Sequence, residues 1–134
     1  MCGIFGIFDS SLTADQLRDL LIKCSTTLRH RGPDWSGYKL VGNNSAIAHE
    51  RLAIMDPESG SQPIQSLDGT ITIAVNGEIY NYKELYQSHF PDYEPQTGSD
   101  CEVLLPLYLK YGASLEENFP SLLRGMFSFV IYDR

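Results

Sequence analysis

Cys2 is the residue best placed to do chemistry in this 134-residue chain. It follows Met1 directly, so removal of Met1 leaves it carrying a thiol and a free α-amine on one carbon. A thiol titrates near ~8.5 and an α-amine near ~7.7–8.0, so moving the proton from sulfur to nitrogen costs only about 1 kcal/mol. A nucleophile with its own base follows, on the logic of the threonine–terminal amine pair. Against this stands the ordinary reading of cysteine as a small buried hydrophobe. Four polar clusters could complete a site. Asn76-Gly77-Glu78 can supply a side-chain amide and a backbone N–H to one oxyanion, each such donor being worth roughly 3–4 kcal/mol in a transition state. His49-Glu50-Arg51 holds a guanidinium able to pair bidentately with a carboxylate. Gly98-Ser99-Asp100 offers a carboxylate for an ammonium group, and Arg29–Asp34 is a turn that could wall a site. Taken singly, the bland readings are a solvated strand end for 49–51, a turn for 76–77, and helix-dipole compensation for Asp100. Taken together, thiol, oxyanion hole, arginine and aspartate suit an amino acid with a side-chain amide.

The elements that must position these groups can be read from pattern. Gly3–Phe8 is a short buried strand. Thr13 with Gln16 is a capping box opening a helix to about Leu28. Leu17, Leu20, Leu21, Cys24 and Leu28 fall on one face of it, which makes Cys24 core. Pro33 and Gly32 break the helix. Ser36–Leu40 and Ser45–Leu52 are strands joined at Gly42-Asn43-Asn44. Ser66–Gly69 is a hairpin signal, and Thr70–Val75 a strand that Asn76-Gly77 ends. Asn81 with Glu84, and Ser99 with Glu102, are two further capping patterns, the second opening a helix that Gly112 ends. A short helical piece lies near Leu115–Leu122 and a last strand at Met126–Tyr132. Strands with short hairpins and helices behind them predict an α+β fold with antiparallel pairing.

Composition narrows the function classes. The length suits one domain, and the net charge of −7 argues against non-specific nucleic-acid binding. No apolar run is long enough to span a bilayer, and Gly3–Phe8 lacks the flank of a signal peptide. Three scattered cysteines fit reduced cytoplasmic thiols better than a disulfide framework. With no CxxC, a structural zinc site is not expected.

Six segments, in order and spacing, resemble the class II glutamine amidotransferases, which are N-terminal nucleophile hydrolases, and among them the glutamine-hydrolysing asparagine synthetases. They are MCGIFGIF at Met1, RHRGPDWSG at Arg29, AHERLAIMD at Ala48, NGEIYNY at Asn76, TGSDCE at Thr97 and GMFSFVIYD at Gly125. The resemblance implies a four-layer αββα sandwich of two antiparallel sheets over residues 1–134. It implies Cys2 as nucleophile, Arg51 on the substrate carboxylate, Asn76 and Gly77 as oxyanion hole, and Asp100 with Glu78, Ile54 and Gly98 as substrate-holding positions. It further implies hydrolysis of L-glutamine to glutamate with no cofactor or metal. The ammonia would pass to a second, ATP- and magnesium-dependent synthetase domain that amidates aspartate. A synthetase domain or subunit is the implied partner, and a homodimer is left open. The chain ends at Asp133-Arg134 just after a strand, so the resemblance also implies a glutaminase domain short of its last strands, its sheet edge open to pairing. Three rivals remain: another amidotransferase class with a different ammonia acceptor, a partner-binding module without catalysis, and a thiol redox sensor at Cys2, for which no nearby resolving cysteine is evident in the sequence.

Overall fold

A computed structural model describes residues 1–53, 60–112 and 118–134. Six strands and three helices are set out in the order β1 (Gly3–Ile7), α1 (Ala14–Ser25), β2 (Trp35–Val41), β3 (Ser45–Arg51), β4 (Ile64–Gln65), β5 (Ile71–Ile79), α2 (Tyr82–His89), α3 (Leu104–Tyr111) and β6 (Gly125–Asp133). They form two three-stranded antiparallel sheets, ordered β1-β3-β2 and β4-β5-β6. The first hydrogen-bonds Gly3 opposite Glu50 and Trp35 opposite Arg51, so the start of β1 and the end of β3 lie side by side.

Strand alternation sorts the side chains into layers. Ala46 and Ala48 face outward and meet Leu17 and Leu21 of α1, with Phe5 and Ile7 alongside. Ile47 faces inward and meets Val41 and, from the second sheet, Ala74, with Ile4, Val130 and Tyr132 around them. On the far side of β5, Ile71, Ile73, Val75 and Ile79 pack against Leu85, Leu104 and Leu107 of α2 and α3. Each of these large side chains contributes about 1.5–3 kcal/mol by leaving water. The result is helix, sheet, sheet, helices: the expected αββα order.

Local expectations met mixed outcomes. The Thr13–Gln16 capping box forms in both directions, and Gly112 ends α3 at φ +64°. The α1 face is narrower than its spacing implied: Leu17 and Leu21 are buried, whereas Leu20 is 39% exposed and Cys24 is only half-buried. Asn81 sits at the start of α2 but does not cap it. Its amide instead donates to Leu122 O (2.9 Å) and accepts from Arg124 N (2.8 Å), tying the chain ahead of β6 to the end of β5. Ser99 does accept from Cys101 N (3.3 Å), yet Glu102 turns away from it and gathers Gln96 N, Thr97 N, the Thr97 hydroxyl and the Tyr93 hydroxyl. The helix expected near 115–122 lies partly outside the described residues. Within them Phe119–Leu122 forms one tight helical turn.

Candidate active site

Asn76-Gly77 does not end the β5 ladder. The strand runs through to Ile79, with Asn76 opposite Ser128 and Gly77 opposite Phe127 on β6. Gly77 makes this passable: its φ is +150°, and a Cβ there would lie 2.0 Å from Met126 O. A side chain is therefore excluded both by conformation and by space.

The other side of β5 is where the site opens. β4 covers only Thr72 and Ile73. Ile71 exchanges bonds with Ser66 on that side, so the odd-numbered residues of β5 direct their N–H and C=O groups away from β6. Beyond Ile73 no strand among the described residues receives them. Val75 N–H donates to Gln62 Oε1 at 2.6 Å, Val75 C=O accepts from His49 Nε2 at 2.8 Å, and Ile79 N–H donates to Asp100 Oδ2 at 2.6 Å. Gly77 C=O lies 3.7 Å from the Cys101 thiol. Gly77, on the same edge, lies on the wall of a cavity.

That cavity, of about 110 Å³, is walled by Cys2, Arg51 and Leu52 from the first sheet and by Val75, Gly77, Glu78, Asp100 and Cys101 from the second sheet and its following turn. Cys2 stands one residue ahead of β1. Its Sγ accepts from Leu52 N–H at 3.4 Å and lies 3.8 Å from Leu52 C=O. The Arg29–Asp34 turn buttresses it: Arg31 Nε donates to Cys2 C=O at 3.0 Å, and Asp34 clasps the chain after β3, its N–H on Arg51 C=O (3.0 Å) and its carboxylate on Ala53 N–H (2.9 Å).

The reading of His49-Glu50-Arg51 as a solvated strand end is overturned. Their exposures are 0%, 2% and 6%. Alternation sends Glu50 outward, where Ser25 and Ser36 hydroxyls donate to its carboxylate, and sends His49 and Arg51 inward toward the second sheet. Buried charge of this kind persists where it is paired or hydrogen-bonded. The bland reading of Asp100 also falls short: its carboxylate is 5% exposed and holds a backbone N–H of β5, far more than dipole compensation on a surface turn.

Of the residues singled out in the sequence, the structure thus brings Cys2, Arg51, Gly77, Glu78 and Asp100 to one cavity. Asn76 shares the inner face of β5 with Ala74 but is not among the cavity walls, and its amide oxygen is buried with no hydrogen-bond partner among the described residues. Gly98 lies two residues before Asp100, also off the cavity wall, and Ile54 falls outside the described residues. Sequence reasoning missed Leu52, Gln62 and Cys101, whereas Arg31 belongs to the Arg29–Asp34 turn read as a candidate wall. Only Cys101 carried a signal, its position beside Asp100. Its thiol is not a second nucleophile, since burial first and the Asp100 carboxylate second push it up to about 12. Among the described residues no group of three His, Cys, Asp or Glu is arranged to hold a metal, and no helix is long and apolar enough to cross a membrane.

Comparison with known proteins bears on family and fold. A family described as the glutamine amidotransferase domain matches residues 1–134. Asparagine synthetase B [glutamine-hydrolyzing] of Escherichia coli K12 is 46% identical over 133 residues, which cover 99% of this chain and 23% of that protein. Asparagine synthetase [glutamine-hydrolyzing] of Zea mays is 47% identical over 133 residues, 99% of this chain and 22% of that one. The chain therefore spans less than a quarter of the length of these relatives. Among solved structures, a glutamine phosphoribosylpyrophosphate amidotransferase from B. subtilis superposes with a TM-score of 0.75 at 24% identity, covering 99% of this chain and 35% of that one, a likeness of fold. The match of the family model over residues 1–134, together with relatives 46–47% identical across nearly all of them, places this chain in the glutamine amidotransferase domain family.

Proposed function

We propose that this chain is the glutamine-hydrolysing half of an asparagine synthetase. The observation that carries the reading is the convergence, on one cavity, of a sulfur one residue from the chain start with a guanidinium and two carboxylates. A free α-amino acid presents the complementary charges: its carboxylate pairs with Arg51 and its ammonium with Asp100 and Glu78. Asp100 is already oriented for this, because the Ile79 N–H fixes one of its oxygens.

With Met1 removed, the Cys2 amine takes the thiol proton, directly or through one water. The sulfur attacks Cδ of glutamine, and the electron pair of the carbonyl moves onto oxygen. Gly77 N–H and the Asn76 amide hold that oxyanion. Collapse of the intermediate breaks the C–N bond, and the amine delivers its proton to the departing nitrogen as ammonia. Water then attacks the γ-glutamyl thioester, releasing glutamate and restoring the thiol. In the complete protein the ammonia would serve ATP-dependent amidation of aspartate. Within this chain the reaction calls on no metal or cofactor.

The test is release of ammonia and glutamate from L-glutamine by the Met1-free protein. Cys2→Ala should abolish it while glutamine still binds. Equal rates with and without the thiol would refute the mechanism, and a folded, Met1-free chain with no turnover would favour a module that only binds its partner.

A further inference from the structure

Resting on the proposed glutaminase reading, we infer that His49 and Gln62 are positioning residues that fix the oxyanion-binding segment of β5 against the sheet carrying the nucleophile. Val75 precedes Asn76-Gly77 on a stretch of β5 whose edge away from β6 meets no strand among the described residues. Both of its outward backbone groups are nevertheless taken, and by side chains from elsewhere in the fold: Gln62 Oε1 accepts its N–H at 2.6 Å, and His49 Nε2 donates to its C=O at 2.8 Å. Both bonds are buried, where a hydrogen bond is strong and its loss costly.

The two anchors come from opposite directions. Gln62 lies in the chain ahead of β4, and its own carbonyl is pressed onto β2, where a Cβ at Gly37 would stand 1.9 Å from it. His49 lies on β3, two residues before Arg51 and directly beside β1, whose Ile4 is its cross-strand partner. The His49–Val75 bond therefore spans the gap between the sheets, from the strand that ends in Arg51 to the strand that carries Gly77. With Val75 held on one side and Ile79 N–H held by Asp100 on the other, the intervening Gly77 N–H has its direction and height fixed. Oxyanion stabilisation demands such control, because donors must lie 2.7–3.1 Å from an atom that exists only in the transition state.

The chemistry of the imidazole agrees. A carbonyl can only accept, so Nε2 must carry the proton. Nδ1 is then a bare acceptor, and it is buried with no partner among the described residues. Burial above all, with the nearby Arg51 charge adding to it, keeps the ring's pKa below its ordinary value against the opposing pull of the Val75 bond and Glu50. The neutral ring is thereby favoured, in the tautomer that donates from Nε2 to Val75 C=O.

The experiment compares His49→Leu and Gln62→Met, which break the bonds, with His49→Gln and Gln62→Glu, which keep a donor and an acceptor at the same reach. In glutamine hydrolysis the two breaking variants should each lose roughly 10–100-fold in kcat with glutamine KM changed by less than about threefold. The conservative pair should recover most of that loss. Amide hydrogen exchange, read without turnover, should show Val75 and Gly77 exchanging at least about tenfold faster in the breaking variants while Ile73 is unchanged. Breaking variants with kcat within twofold of the parent, or with slow Val75 exchange, overturn the inference. So does a loss that appears in KM alone or that the conservative variants share. A parent protein without glutaminase activity would count against the proposed reaction instead, and the exchange measurement would still decide whether the clamp exists.

Discussion

The two sheets contribute to the cavity in different currencies. The first supplies side chains: Cys2 at the threshold of β1 and Arg51 at the end of β3, with Glu50 anchoring the outer face to α1. The second, with its following turn, supplies the carboxylates of Glu78 and Asp100 but also backbone: Gly77 lines the cavity with no side chain, and Asp100 uses one oxygen to hold a β5 amide. A site divided in this way should fail differently when each half is disturbed. Loss of a side chain on the first sheet should remove one chemical capacity and leave the fold. Disturbance of β5 should cost structure and rate together.

The largest contrast is expected at Gly77. Gly77→Ala places a methyl 2.0 Å from Met126 O at a φ that L-residues avoid, so it should destabilise the fold by at least about 2 kcal/mol. Denaturant titration would register this together with loss of turnover. Arg51→Lys should spare the fold's cooperative transition and raise KM for glutamine about tenfold with a smaller change in kcat, because an ammonium cannot match a carboxylate with two parallel bonds. Steady-state kinetics would separate the two. If Gly77→Ala proved as mild for stability as Arg51→Lys, the division between the sheets would be void.

The thiols give a third, smaller test. Iodoacetamide near pH 8 should leave Cys101 unmodified in the folded protein, since its thiol is pushed up to about 12, and should modify it readily once the chain is unfolded. Peptide mapping by mass spectrometry would read both states.

The smallest expected effect concerns pH. His49 has a native pKa below 6.5, whereas the unfolded chain takes up the proton near ~6.5. The native state therefore binds fewer protons in that window. Its stability is full above pH ~6.5 and falls as pH drops toward the native pKa, by at most about 1.4 kcal/mol per pH unit. Thermal melts between pH 7 and 5 should show a shallower fall for His49→Gln than for the parent.

The same division explains what could be read in advance. Cys2, Arg51 and Asp100 announce their chemistry by type, and the strand and helix periods gave α+β layers with antiparallel sheets because alternation is written in the residues themselves. Burial of His49-Glu50-Arg51 was not legible: three consecutive polar residues suggest water, and only the packing of β3, central in its sheet, between α1 on one face and the second sheet on the other encloses them. Likewise Asn76-Gly77 reads as a turn by local propensity, whereas β6 holds it in a ladder through tertiary pairing. Gln62 and Leu52 act through one side-chain oxygen and one backbone N–H whose directions depend on register, and no motif encodes that. Asn81 misled for the opposite reason, its capping potential being redirected to Leu122 and Arg124 across the fold.

The central claim is that the amine of Cys2 works with its sulfur. The most direct measurement pairs two otherwise identical proteins, one beginning at Cys2 and one retaining Met1, so that the thiol is present in both and the amine is free in only one. Glutamine hydrolysis should be at least about a hundredfold faster with the amine free, in keeping with the usual worth of a positioned base. Equal rates from the two would contradict the account.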